Sequence, residues 1–152
     1  LTFLAIRLES SVDFLDELNV PAIKIASGDL TNLPLIEYAA QARPLILSTG
    51  AGTMRDVHEA HASVLTTAFH AFLHCTAIYP APAEALNLRA IETMRGELEC
   101  VVGYSSHFAG ISMPLVASSP ASLHVQASCW LMIPDRHPHR DPRLDGSVLG
   151  QR

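Results

Sequence analysis

The chain reads as an α/β protein of about four to five βα units with parallel strands. Three observations predict this. Apolar runs of strand length alternate with longer amphipathic stretches. Each apolar run stops in polar groups. The stops are evenly spaced: Lys24, Ser48, His74 and Tyr104 lie 24, 26 and 30 residues apart. That interval fits both an open doubly wound sheet and a (β/α)₈ barrel. No Gly-x-Gly-x-x-Gly follows a first strand, so the dinucleotide-binding form lacks its best signature. A complete barrel takes about 250 residues, so four or five units are roughly half of one.

The elements follow in order. Glu9 to Leu18 has helical leucine spacing, and an apolar strand follows at Val20 to Ala26. Leu30 to Gln41 reads as a helix, with Thr31 or Asn32 as N-cap. Pro44 to Leu47 is a short strand, and Thr53 to Ala62 a helix after the Gly50-Ala51-Gly52 turn. Ala68 to Leu73 is a strand, Ala85 to Arg95 a helix and Cys100 to Tyr104 a strand. Ile111 to Ala117 is predicted helical, and Ser122 to Gln126 a further strand. Residues 1–126 form the barrel-like part. Residues 127–152 form a divergent tail that is polar and Pro-rich from Pro134 onward, without periodicity, and predicted disordered.

Composition narrows the function classes. Charged residues are only 16% against about 25% in a typical soluble domain. A covered surface, or a part of a larger fold, accounts for this. The net charge of -5 excludes nucleic acid as the expected partner, because phosphate backbones need a basic face. The stretch from Phe108 to Ile133 lacks charge, but prolines and serines interrupt it too often for a membrane span. Cys75, Cys100 and Cys129 form no disulfide framework; Cys75 and Cys100 lie in or beside apolar runs, as reduced thiols of a cytoplasmic protein do. The start LTFLAIRLESSVDFL lacks a basic n-region, so no signal peptide is expected, and the leading Leu1 suggests a missing beginning.

Ligands of parallel α/β folds bind at the carboxyl ends of the strands. Here those ends read 24-KIASGD-29, 48-STG-50, 74-HCTAIY-79 and 104-YSSH-107. Lys24 alternates with Ile23 and Ile25, so it points into the barrel, where an ammonium calls for an anion. Ser48 and Thr49 offer hydroxyls beside a flexible Gly50, suited to phosphate or carboxylate. Each end taken alone is an ordinary loop; four in one register converge on an anion site. His137 and His139 read as solvated tail residues, and His58 and His61 as exposed helix residues.

These stretches carry a resemblance. The segments 9-ESSVDFLDELNVPAIKIASGDLTNLPLIEYAA-40, 44-PLILSTG-50, 73-LHCTAIYPAPAEALNLRAI-91 and 102-VGYSSHFAG-110 resemble the sialic acid (N-acetylneuraminate) synthase family over roughly residues 8–117. The resemblance implies a partial (β/α)₈ TIM barrel. It implies condensation of phosphoenolpyruvate with N-acetylmannosamine, or a related N-acyl amino sugar, giving a nonulosonic acid and phosphate. It implies a cytoplasmic homodimer and a divalent metal, Mn²⁺ or Mg²⁺, that polarises the sugar aldehyde. Position by position, Lys24 matches the lysine that holds the phosphoenolpyruvate anion, and Ser27 the serine beside it. Asp29 stands where the family has Asp or Glu. Ser48, Thr49 and Ser105 match pocket hydroxyls, and Tyr79 the tyrosine at the sugar site. By the same match Lys24, Asp29 and Tyr79 are the catalytic candidates. His107 matches one of two metal-binding histidines, whereas His74 is structural. The sequence departs from the family pattern at Ala77, where relatives have Asn or Ser, and at Ser106, where Asp is commoner. The family's first strand, with its catalytic Glu and Lys, is not found before Glu9. After about residue 117 the Glu-x-His strand with the second metal ligand is not found either, an abrupt change of the kind a shifted reading frame produces. The chain alone is therefore expected to be an inactive fragment that retains part of an anion and sugar pocket.

Overall fold

The computed structural model describes residues 5–6, 8–65, 69–109 and 112. It holds five parallel strands in the sequential order β1-β2-β3-β4-β5. They are β1 (Ala5–Ile6), β2 (Ile23–Ile25), β3 (Leu45–Ser48), β4 (His70–His74) and β5 (Val101–Tyr104). The crossovers are α1 (Glu9–Glu17), α2 (Leu33–Ala42), α3 (Met54–Val64) and α4 (Arg89–Glu97). Sequential order with one helix per crossover is the arrangement of a barrel; a doubly wound sheet reverses its strand order. The sequence left both open, and the strand order decides for a partial barrel.

Register explains the two faces. Ile25, Leu47, Phe72 and Val102 are adjacent across four strands. All four are buried in one core with Leu15, Ile36, Ala39, Val57, Ile91 and Met94 of the helices. The alternate row, Lys24, Ile46, Ala71 and Val101, points to the other face and is half-buried. One layer further along the strands, Ser48, Leu73 and Gly103 are adjacent on that same face, and all three are buried.

The helices begin and end for local reasons. Thr53 and Asp56 form a reciprocal capping box on α3: Thr53 Oγ1 accepts from the Asp56 N–H, and Asp56 Oδ2 accepts from the Thr53 N–H at 2.7 Å. α1 stops because Asn19 turns left-handed at φ 54°, a conformation Asn tolerates. Tyr38 donates to Asp13 at 2.6 Å and Arg43 to Asp16 at 2.6 Å, which fastens α2 to α1.

Several boundaries differ from the sequence reading, among them the strand read at Val20–Ala26, which is only Ile23–Ile25. β1 has no counterpart in it, because two residues are too few for alternation to show. α2 begins at Leu33 after Asn32, whose side chain makes no cap bond, with Pro34 in its first turn. The helix read from Ala85 begins at Arg89; Ala83–Ala85 is a 3₁₀ turn, and Asn87 at φ 42° interrupts the path between them. Apart from Ser112, the helix read at 111–117 lies outside the described residues, as do the strand read at 122–126 and the tail at 127–152. No described helix is long and apolar enough to cross a membrane.

Candidate active site at the carboxyl ends of the strands

Lys24 lies one layer deeper than the strand-end reading placed it. It pairs with Ile46, two residues before Ser48. Two residues of strand rise about 6.6 Å, a distance its four-carbon stem can follow upward. Its side chain is half-buried on the face away from the helices and forms no ion pair with a described residue. Ser48 is only 3% exposed, and its Oγ has no hydrogen-bond partner among the described residues. Ser105 is likewise buried, and its N–H donates to the His74 carbonyl at 2.8 Å. Asp29 closes the 3₁₀ turn Ser27–Asp29 that follows β2 and is half-buried there.

Two of the hydroxyls are engaged within the protein. Ser27 Oγ accepts from the Gly50 N–H at 3.1 Å and lies 3.1 Å from Cys75 Sγ. It ties three successive strand-end loops together. Thr49 donates from both its N–H and its hydroxyl to the Leu73 carbonyl, at 3.0 and 3.3 Å. What these two side chains present to a ligand is therefore their remaining lone pairs and the loop positions they fix.

Gly50 was read as a flexible glycine, and the structure gives it a different reason. A Cβ there would sit 2.8 Å from Cys75 Sγ, 3.0 Å from the Cys75 carbonyl and 3.1 Å from the Ala77 nitrogen. Two of those neighbours are backbone and cannot step aside. Gly50→Ala is expected to cost about 1–3 kcal/mol through this overlap, read as a fall in the urea midpoint. Gly28→Ala, whose Cβ would meet nothing within 4 Å, serves as the control and should leave the midpoint nearly unchanged.

Tyr79 and His107 meet although they are 28 residues apart. The loop after β4 is bound to the loop after β5 by the Ala81 N–H donating to the His107 carbonyl at 2.9 Å, and by the Ala81–Phe108 bridge. The two rings stack with centroids 4.0 Å apart. His107 Nδ1 faces the Thr76 carbonyl at 2.5 Å. A carbonyl only accepts, so Nδ1 carries the proton and Nε2 the lone pair. Nε2 then accepts from the Tyr79 hydroxyl at 3.0 Å. Tyr79 is largely exposed, and partial desolvation, with the nearby Cys75 as a lesser cause, pushes its pKa up and keeps it a donor. Thr76 carries no signal in the sequence for this arrangement, because its backbone oxygen is what holds the ring.

A carbonyl on Nδ1 and a lone pair on Nε2 is the set-up of a metal-ligating histidine, although here the Tyr79 hydroxyl occupies that lone pair. His107 offers that one nitrogen. Among the described residues, the group of three His, Cys, Asp or Glu side chains with converging donor atoms lies elsewhere and excludes His107. The described residues thus do not complete a coordination sphere here.

His74, the histidine that opens this loop, is structural. It is buried, its Nε2 donates to the Leu86 carbonyl at 2.8 Å, and it stacks on Tyr104. Burial drives its pKa below the usual 6.5, only partly offset by the Leu86 carbonyl. Below pH 6.5 the unfolded chain therefore takes up a proton that the folded chain resists. The stability is fully present above that pH and is lost as pH falls through 6.5 toward the depressed folded value. The urea midpoint should thus be lower at about pH 5 than at about pH 7.5, with a smaller difference in His74→Gln.

A sequence model of the NeuB family matches residues 7–122. The chain belongs to the NeuB family. This NeuB chain is 44% identical over 109 residues to an uncharacterized protein of Methanocaldococcus jannaschii, covering 70% of this chain and 32% of that one. It is 39% identical over 119 residues to the N,N'-diacetyllegionaminic acid synthase of Legionella pneumophila, covering 72% and 33%. The crystal structure of N-acetylneuraminic acid (sialic acid) synthetase from Leptospira borgpetersenii, in complex with citrate, superposes with a TM-score of 0.73 at 32% identity, covering 76% of this chain and 41% of that one. The chain spans about a third of the length of the curated relatives it matches.

Proposed function

We propose that this chain carries the phosphoenolpyruvate side of a synthase that joins phosphoenolpyruvate to N-acetylmannosamine or a related N-acyl amino sugar. Ser48 carries the reading. A hydroxyl this buried with no described partner costs about 1–3 kcal/mol, and an oxygen of a bound phosphate or carboxylate would satisfy it. Lys24, half-buried with no described carboxylate beside it, supplies the charge. The Leptospira relative was crystallised in complex with citrate, a polyanion, which supports the reading.

In this reading Lys24, Ser48 and Ser105 hold the substrate's anionic groups. Tyr79, held by His107 at the mouth, meets the sugar. The methylene carbon of phosphoenolpyruvate forms the new bond to the sugar aldehyde carbon, water adds to the resulting cationic carbon, and the phosphate leaves from that carbon. In the same reading Asp29, on the turn after β2, is the residue that exchanges a proton with the substrate. The chain should bind phosphoenolpyruvate saturably in calorimetry, yet release no phosphate from it with N-acetylmannosamine and Mn²⁺. Absence of saturable binding overturns the reading. Phosphate release that Lys24→Ala abolishes would instead show that these residues carry the whole reaction.

A further inference from the structure

At the opposite end of the sheet, three side chains that the synthase reading leaves unused converge. His70 is the first residue of β4, and Cys100 directly precedes β5. The Ala71–Val101 pairing sets these two starting positions side by side. His61, in the last turn of α3, lies over them. His61 Nδ1 is 3.0 Å from His70 Nε2, and the ring centroids are 5.0 Å apart. The donor atoms of all three residues lie within 4.8 Å of one another, and each residue is half-buried. The sequence reading took His61 as an exposed helix residue; its contact with His70 and Phe72 corrects that.

We propose that His61, His70 and Cys100 form a structural metal site for a zinc-class ion, separate from the strand-end pocket. A tetrahedral ion with bonds of about 2.0–2.3 Å needs donor atoms roughly 3.3–3.8 Å apart. The His61–His70 separation of 3.0 Å lies just below that range and no pair exceeds 4.8 Å, so small side-chain rotations bring the donors into place. Two imidazoles and a thiol select zinc over Mg²⁺ or Mn²⁺, which prefer oxygen. The fourth position is open to water or to Glu99, the neighbour of Cys100 that acts on the charge of His61. His58, one turn earlier on α3, is engaged with Glu97 at 2.8 Å and stays outside the set. Binding replaces the Cys100 thiol proton by the metal, and the proton goes to solvent. At the amino end of the strands such an ion pins α3 to β4 and β5 and takes no part in catalysis.

The test is titration of the chelator-stripped full chain with Co²⁺, then Zn²⁺. One equivalent of Co²⁺ should give a thiolate charge-transfer band and tetrahedral visible bands, both removed by Zn²⁺. Cys100→Ser should abolish the charge-transfer band. His61→Ala and His70→Ala should each weaken binding by about tenfold or more, since even loss of an outer-shell partner costs that much. Cys129→Ser should leave the spectrum unchanged. A band that survives Cys100→Ser, or no band at one equivalent, overturns the proposal. Should the variants fail to fold, alkylation of the wild-type chain decides: Zn²⁺ must protect Cys100, and equal labelling with and without Zn²⁺ overturns it.

Discussion

Lys24→Met will raise the dissociation constant for phosphoenolpyruvate by about tenfold or more, while the urea midpoint stays nearly unchanged. The size follows from the interaction removed. A hydrogen bond to a charged group is worth about 1.5–3 kcal/mol, and each 1.4 kcal/mol is a factor of ten in affinity. The small effect on stability follows from position. Lys24 is half-buried on the face away from the helices, and no described carboxylate loses a partner when its charge goes. Methionine keeps most of the stem beside Ile46, its neighbour across the sheet. Isothermal titration of wild type and variant reads the first effect, and urea unfolding the second. Equal affinity for the two proteins would remove Lys24 from the site.

Phe72→Ala will have the largest effect on stability, about 3–5 kcal/mol. Phe72 is fully buried on an interior strand, with Leu47 on one side and Val102 on the other. On the helix side it meets His61 and His70 edge-on, with centroids 5.9 and 6.1 Å away. Truncation leaves a cavity where three elements meet, and the sheet cannot close around it. Domains of this size are stable by about 5–15 kcal/mol, so a large share of the total is lost. A urea midpoint that barely moves would mean that the helix-side core is not packed as described.

Four of the five strands and all four crossover helices were legible in the sequence, because hydrophobic periodicity is a local signal. The strand-end motifs were legible for the same reason: Ser48, His74 and Tyr104 each end a short apolar run, whereas Lys24 lies inside its run, one layer deeper. What failed was either too short or too distant. β1 has two residues. The break at Asn87 depends on one left-handed residue, which the helical pattern of 85–95 conceals. The Tyr79–His107 pair and the His61–His70–Cys100 group are set by register between strands, and no spacing along the chain encodes register. Gly50 was noticed for the wrong reason, since its need is for space beside Cys75 and Ala77 and not for an unusual φ.

In the proposed site the carboxyl ends of the strands form an anion pocket built on Lys24 and Ser48. Amide chemical-shift mapping of the ¹⁵N-labelled chain during titration with phosphoenolpyruvate tests it most directly. The expected result is saturable change concentrated at residues 24–29, 48–50 and 105–107, absent in Lys24→Met. Change centred instead on His70 and Cys100 at the other end of the sheet, or no saturable change at all, would contradict it.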